Sequence, residues 1–247
     1  MFTSMLEGLS AYGKAFSVLS ELKLWKYFAI PIIISLCIAL SVFSVVYGWA
    51  DDLGAYLATA WPWEFGKETV TTISTVVSGL LIVIIGLLLY KHLVLAFSAP
   101  FMSPVSEKIE AHYYPKSTEV KTEASFSSLL LRGVRLSMRN LTREILLTLV
   151  LLLLSLIPVI GIFMTVALFL VQAYYAGFGN MDFTLERHYQ YKESIQFVKR
   201  NKGMAIGNGL VFILFLLVPF IGALLVLPLS VTAATLTTLP KIKAENT

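Results

Sequence analysis

Four arginines near the middle of the chain are spaced so that they could bind an oxyanion. They recur at intervals of three and four residues, which places them on one face of a helix. They are Arg132, Arg135, Arg139 and Arg143. A guanidinium group donates parallel hydrogen bonds to the oxygens of phosphate or sulfate. Next to an apolar segment, such a stripe most often grips lipid phosphates, and the alternative is a ladder that passes anions along.

The other polar residues give no pattern typical of catalysis. The sequence has no nucleophile elbow, phosphate-binding loop or metal-ligand spacing, so we predict no enzyme, metal or cofactor. His92, His112 and His188 are isolated in the sequence, and we interpret them as interfacial rather than as ligands. The single cysteine, Cys37, has no partner for an internal disulfide. Without any RNA-binding motif, the net charge of +4 does not indicate a nucleic-acid partner.

Long apolar blocks must position these polar groups. Of the 247 residues, 57% are apolar and only 14% are charged, whereas roughly 25% are charged in a soluble domain. Four blocks carry no charge, and each is longer than the roughly 18 residues of a transmembrane candidate. The blocks are 28–49, 69–90, 145–181 and 203–240. The sequence therefore predicts an all-α integral membrane protein.

The charges of the linkers predict the topology. The N-terminal segment, the linkers 97–144 and 182–202, and the tail are all rich in lysine and arginine. The loop 50–68 has Lys67 as its only cation, and its Trp61-Pro62-Trp63 run suits an interface. The positive-inside rule places this loop outside and both termini in the cytoplasm. We predict a multi-pass protein of the bacterial inner membrane.

The third and fourth blocks must each return to the side from which they leave. Pro158–Gly161 and Pro219–Gly222 share a Pro-x-Ile-Gly pattern that interrupts these blocks. Each half then has roughly 14–18 residues and covers about 21–27 Å, short of the roughly 30 Å hydrocarbon core. We predict two re-entrant helical hairpins, at 145–178 and 203–239. Two proline-kinked spanning helices are the alternative.

The whole chain, 1–247, is predicted to form one membrane domain. Besides the hairpins, it comprises an interfacial amphipathic helix (1–24), two long transmembrane helices (27–49 and 69–96), cytoplasmic helices (97–144) and a cytoplasmic linker (182–202). Within 97–144, Ser103 and Pro104 predict the start of a new helix. Glu107 then completes a capping box, and the alternative is a polar residue at a pore mouth.

Several short motifs follow one another in an order that is characteristic of a known family. They are Ile30-Pro31 after a basic pair, Ala99-Pro100-Phe101 with Glu107 following, the Arg135/Arg139 pair, the two Pro-x-Ile-Gly turns, and Asp182-Phe183-Thr184 before Lys192-Glu193. From about Gly8 to Thr238 the chain resembles the CysZ sulfate permeases, which are related to the etoposide-induced membrane proteins. The resemblance implies a homo-oligomer in the lipid bilayer that imports sulfate for cysteine biosynthesis.

The resemblance also implies an anion-binding site before the first membrane helix. The family's sulfate-binding Gly-Leu-Arg-Arg motif corresponds here to Lys23, Leu24, Trp25 and Lys26. Lys26 keeps a cation at the second arginine, whereas Trp25 replaces the first arginine and Lys23 stands at the glycine. Because a lysine cannot fork around two oxygens, two interpretations stay open. The lysines form a cationic site, or they are a snorkelling anchor.

A transport pathway would use two kinds of positive group. Cationic side chains would collect the anion at one mouth, and helix N-termini within the hairpins would supply positive potential inside the membrane. The candidates are Lys23, Lys26, Glu107, Arg135, Arg139, Gly161 and Gly222. No carboxylate lies within an uncharged block, which favours channel-like or facilitated passage. The alternatives are a non-transporting scaffold or lipid-shaping protein, and a transporter of another anion.

Overall fold

The computed structural model describes residues 2–59, 65–115, 125–155, 157, 160–216, 218 and 221–245, and within them every regular element is a helix. The helices are α1 (Phe2–Glu21), α2 (Ala29–Ala58), α3 (Lys67–Tyr113), α4 (Phe126–Ser155), α5 (Ile160–Leu185), α6 (Tyr191–Arg200), α7 (Lys202–Leu216) and α8 (Ile221–Glu245). A 3₁₀ helix, Leu24–Phe28, joins α1 to α2. The predicted all-α class is confirmed. Trp61-Pro62-Trp63, Pro158 and Pro219 lie outside the described residues.

Helices α2 and α3 form a long antiparallel pair. At 1.5 Å per residue they extend about 45 Å and 70 Å. Glycines let them approach closely, because a Cβ on Gly54 would lie 2.5 Å from Thr75 and one on Gly86 would lie 2.5 Å from Val42. The pair brings the chain back to the end of the molecule at which α1 ends.

Helix α3 continues through both of its prolines, so the predicted helix start at Ser103 is wrong. A proline lacks the backbone N–H that would bond the carbonyl four residues earlier. For Pro100 this is the Ala96 carbonyl. Helix α4 crosses α3 at this carbonyl. A Cβ on Gly133 would lie 2.9 Å from the Ala96 oxygen. Glu107 is therefore an exposed residue within a helix and not part of a capping box.

Helices α5 and α7 touch backbone to backbone at two glycines. A Cβ on Gly177 would lie 1.8 Å from the Ala205 carbonyl oxygen, and one on Gly209 would lie 1.7 Å from that of Ala173. The predicted N-terminal helix is present as α1, and it packs on α7 through Gly8. A Cβ on Gly8 would lie 2.8 Å from the Met204 carbonyl oxygen. Helix α1 is thus part of the helical bundle, with one face buried.

The described residues of the two Pro-x-Ile-Gly sequences lie at helix starts: Ile160 and Gly161 begin α5, and Ile221 and Gly222 begin α8. Helix α4 ends at Ser155 before α5 begins at Ile160, and α7 ends at Leu216 before α8 begins at Ile221. The Gly161 amide donates to the Ile157 carbonyl at 3.0 Å, which closes the first of these turns. The helices of each pair contact one another. The two helices of each pair therefore pack together, and the re-entrant hairpins stay a prediction.

Three helices in the described part of the chain are long and apolar enough to cross a membrane. They are Leu24–Tyr56, Ile160–Leu185 and Leu225–Glu245, and α7 is apolar but shorter. Large apolar side chains stand exposed on the helix surfaces, for example Leu153 at 69% and Phe163 at 68%. Such an apolar surface is typical of helices that face lipid.

Candidate anion-binding residues and a polar seam

The lysine segment before α2 contains a left-handed residue. Lys23 has φ 53° and ψ 40°, a conformation that costs roughly 1–2 kcal/mol for any residue with a Cβ and that glycine adopts freely. This backbone requirement agrees with the glycine that the family resemblance implies at Lys23. The left-handed turn ends α1 and directs the chain into the 3₁₀ helix.

Trp25 is held by packing on both sides. Its ring meets Phe16 edge to face at 5.4 Å and Phe28 at 6.3 Å. Its indole N–H donates to Ser20 Oγ at 3.1 Å. The neighbouring Leu24 is 1% exposed and belongs to the core. The position of the family's first arginine is therefore occupied by a packing residue that anchors the segment.

Lys26 lies beside a second lysine from α3. Its Nζ is 5.5 Å from the centre of the Tyr27 ring, and the Nζ of Lys108 is 5.9 Å from the same ring. Both contacts fall in the range of cation–π attraction. Glu107, which precedes Lys108 on α3, is exposed. The structure therefore brings the lysine segment together with the part of α3 that carries Glu107.

The first arginine of the stripe is fully used within the fold. Arg132 Nε and Nη2 donate to the two oxygens of Asp182 at 3.0 and 2.9 Å. It also donates to the Tyr189 carbonyl at 2.9 Å and to Ser194 Oγ at 2.6 Å. This bidentate pair fastens α4 to the end of α5 and to α6.

The next two arginines, both pathway candidates, stack on aromatic rings. The Arg135 guanidinium lies 4.3 Å from the Tyr191 ring and is otherwise exposed. The Arg139 guanidinium lies 5.2 Å from the Phe178 ring, and its Nη1 donates to Asn140 Oδ1 at 2.7 Å. Arg139 Nε is buried without a hydrogen-bond partner. Arg139 thus keeps one donor that a bound oxyanion could accept.

The two glycine candidates lie in the first turns of α5 and α8. A Cβ on Gly161 would lie 2.5 Å from the Ser155 carbonyl oxygen, so the turn requires a glycine there. Gly222 follows the first residue of α8. The arginine candidates contact α5 and α6, whereas the lysine segment contacts α1, α3 and α8. The candidates therefore form separate groups.

A second ion cluster joins the segment after α5 to α3. Arg187 Nη2 and His188 Nε2 both approach Glu110 Oε2, at 3.1 and 3.0 Å. Arg187 Nη1 also donates to the Ser103 carbonyl at 3.2 Å and to Ser106 Oγ. Both this cluster and the Arg132–Asp182 pair lie where α3 ends and α4 begins. Arg132 and Arg187 thus each pair with a carboxylate within the fold.

A buried carboxyl group separates these two clusters. Burial, together with the nearby Asp182 carboxylate, raises the pKa of Glu186 to about 8, although Ser103, Arg132 and Arg187 oppose the increase. One oxygen of Glu186, Oε1, is buried without a hydrogen-bond partner. The protonated form of Glu186 is therefore favoured at neutral pH.

A third ion cluster lies deeper, between α3 and α4. Lys91 Nζ lies 2.5 Å from Glu144 Oε1, and His92 Nε2 lies 3.0 Å from Glu144 Oε2. The three side chains are 4%, 3% and 0% exposed. His92 is therefore buried inside the protein, and its predicted interfacial position stays a prediction. A lysine within the predicted span 69–96 signals such a cluster, because a charge at membrane depth needs a counter-charge.

Buried polar side chains continue along the junction of α3, α4 and α5. On α4, residues 137, 140 and 144 repeat at three and four, and all are buried. A small pocket next to Ser137 is lined by residues of α3, α4 and α5 and by Glu186. We call this row the polar seam; it consists of Lys91, His92, Ser137, Arg139, Asn140, Glu144 and Glu186.

The long apolar helices with exposed large apolar side chains indicate a membrane protein. Residues 11–228 match the family described as "Sulfate transporter CysZ/Etoposide-induced protein 2.4". The chain belongs to this family, which is of a transporter type. None of the curated proteins compared with the chain matches it significantly.

Proposed function

We propose that this protein carries sulfate or a related inorganic oxyanion across the bacterial inner membrane and so supplies cysteine biosynthesis. The observation that carries the proposal is the match of residues 11–228 to a sulfate-transporter family. The passage is channel-like or facilitated, and the protein acts as a homo-oligomer. A dianion cannot cross lipid unassisted, so a route with positive groups is required.

The proposed topology is supported by the contacts among the cation-rich segments. Arg132 bonds Asp182, Arg200 bonds Glu245 at 3.0 Å, and Lys241 lies 3.7 Å from Glu7. These pairs join the start of α4, the linker 182–202 and both terminal helices at one end of the molecule. By the positive-inside rule that end faces the cytoplasm. The pairs α4–α5 and α7–α8 then leave and re-enter the same side as re-entrant hairpins.

The proposed route begins at two cationic groups. Lys23 and Lys26 form one group beside Glu107, and Arg135 and Arg139 form the other. The buried, unpartnered Nε of Arg139 supports a role in binding an oxyanion. The first turns of α5 and α8, at the hairpin tips, would add the positive ends of two helix dipoles.

A second candidate function is a scaffold that shapes lipid without transport. The packing of Trp25 between Phe16 and Phe28 favours it, because this segment then acts as an interfacial anchor. The two functions differ in sulfate binding. Purified protein in detergent binds sulfate in preference to chloride and phosphate if it is a sulfate transporter, whereas a scaffold shows no such preference.

Growth of a cysteine-auxotrophic bacterium that lacks its own sulfate import tests the proposal. Expression of this chain should restore growth and radiolabelled sulfate uptake when sulfate is the only sulfur source. Supplied cysteine should support growth with or without the chain. If the chain is present in the membrane and uptake stays at the background level, sulfate transport is refuted.

A further inference from the structure

The Lys91–His92–Glu144 cluster lies well inside the helical bundle. The Tyr90 side chain, next to Lys91, lies near that of Ser35. Ser35 is six residues beyond the start of α2 at Ala29, or about 9 Å along the helix axis. The cluster is therefore about two helical turns inward from the cation-rich end. It is distinct from the lysine segment at residues 23–26 and from the other two ion clusters.

The two nitrogen donors hold the carboxylate in the way that they would hold an inorganic oxyanion. Each oxygen of Glu144 has one nitrogen partner: Oε1 has Lys91 Nζ, and Oε2 has His92 Nε2. An oxyanion such as sulfate also offers neighbouring oxygens to two converging donors. The carboxylate thus has the charge sign and the acceptor arrangement of the ion that the protein is proposed to carry.

Resting on the proposed function, we propose that Lys91 and His92 form an oxyanion-binding site at the inner end of the polar seam, and that the Glu144 carboxylate occupies it as a displaceable internal anion. A bound oxyanion takes the place of the carboxylate at both donors. When the ion leaves, the carboxylate returns, so Lys91 is never left buried without a counter-charge.

The seam offers the displaced carboxylate another partner. Asn140 lies one turn before Glu144 on the same buried face of α4, a spacing at which amide and carboxylate side chains interact. Glu144 can therefore move along α4 towards the Asn140 amide group and remain hydrogen-bonded.

An ion pair that only fastens α3 to α4 predicts a different response to mutation. Glu144→Gln keeps the shape of the side chain and removes its charge. If the pair is only structural, this change weakens the fold and adds no anion binding. If Glu144 is an internal competitor, removing its charge frees the site for an external anion.

The test is radiolabelled sulfate binding to the purified, detergent-solubilised full chain. If the carboxylate leaves the donors free about one tenth of the time, Glu144→Gln should tighten sulfate binding about tenfold. The double variant Lys91→Met/Glu144→Gln should lose that gain. Glu110→Gln is the matched control, because it neutralises another buried carboxylate of an ion pair and should not tighten binding. Monodisperse elution in size-exclusion chromatography confirms that each variant is folded.

Two results would overturn the inference. One is a folded Glu144→Gln variant that binds sulfate no more tightly than the wild type. The other is a gain in sulfate affinity that persists in the Lys91→Met/Glu144→Gln variant. Both results can be measured whether or not the wild type transports sulfate. The proposed function is tested separately by flux of the wild type, so the two failures are distinguishable.

Discussion

Glu186 shows how burial sets the charge of a single residue. Its pKa of about 8 compares with 4.5 for an unperturbed glutamate. The folded protein thus keeps a proton that the unfolded chain releases at lower pH, and folding takes up a proton between these values. Stability is therefore largest below about pH 4.5 as far as Glu186 is concerned, and it falls as the pH rises towards 8.

We predict that Glu186→Gln removes this decrease in stability with rising pH. The variant should gain stability over the wild type between pH 6 and pH 9, by an amount on the order of a few kcal/mol at the upper end. Thermal unfolding in detergent across this pH range measures it. Glu68→Gln, which neutralises an exposed carboxylate at the start of α3, should leave the slope unchanged. If the stability of Glu186→Gln and of the wild type depended on pH in the same way, the raised pKa of Glu186 would be contradicted.

The site was only partly predictable from sequence at the residue scale. The correspondence of Lys23 to a glycine could be stated, and the left-handed backbone there agrees with it. The partner of His92 could not be found, because Glu144 lies 52 positions later on another helix. The pairing of Arg132 with Asp182 could likewise not be predicted, because Asp182 lies on a different helix, α5. Spacing along one helix cannot reveal partners that another helix supplies.

At the scale of helices, glycines decide which pairs pack closely. We predict that Gly177→Ala lowers stability by about 1–3 kcal/mol, because its new Cβ would overlap the Ala205 carbonyl and force α5 away from α7. Gly13→Ala is the matched control on α1, where no atom lies within 4 Å of the added Cβ. It should be neutral or stabilising by up to about 1 kcal/mol.

The midpoint of thermal unfolding in detergent measures both variants. A Gly177→Ala protein as stable as the Gly13→Ala protein would show that α5 and α7 are not in backbone contact. Such a result would also contradict the hydrogen bond across the same interface, in which the Asn180 amide donates to Asn208 Oδ1 at 2.8 Å.

Helix positions followed from the sequence better than helix boundaries did. The uncharged blocks and the Pro-x-Ile-Gly sequences predicted where α4, α5, α7 and α8 lie. The prolines of α3 misled the prediction because an isolated proline breaks a helix, whereas packing around Ala99, Met102 and Val105 holds this one together. Tertiary contacts of this kind leave no signature in the local pattern.

For the whole molecule, the gathering of cation-rich segments at one end predicts the sides of the membrane. In a Cys37→Ser background, a cysteine at Glu68 should react with a membrane-impermeant maleimide added to intact cells. A cysteine at Lys192, which is exposed on α6, should react only after permeabilisation. Labelling of the Lys192 position in intact cells would contradict the proposed topology and the re-entrant hairpins.

Flux of radiolabelled sulfate into proteoliposomes tests the central claim, anion transport, most directly. The wild type should take up sulfate faster than protein-free liposomes, and Lys26→Ala should slow the uptake severalfold. Lys67→Ala removes a cation from the opposite end of the molecule and should not slow it. Wild-type uptake equal to that of protein-free liposomes would contradict the account.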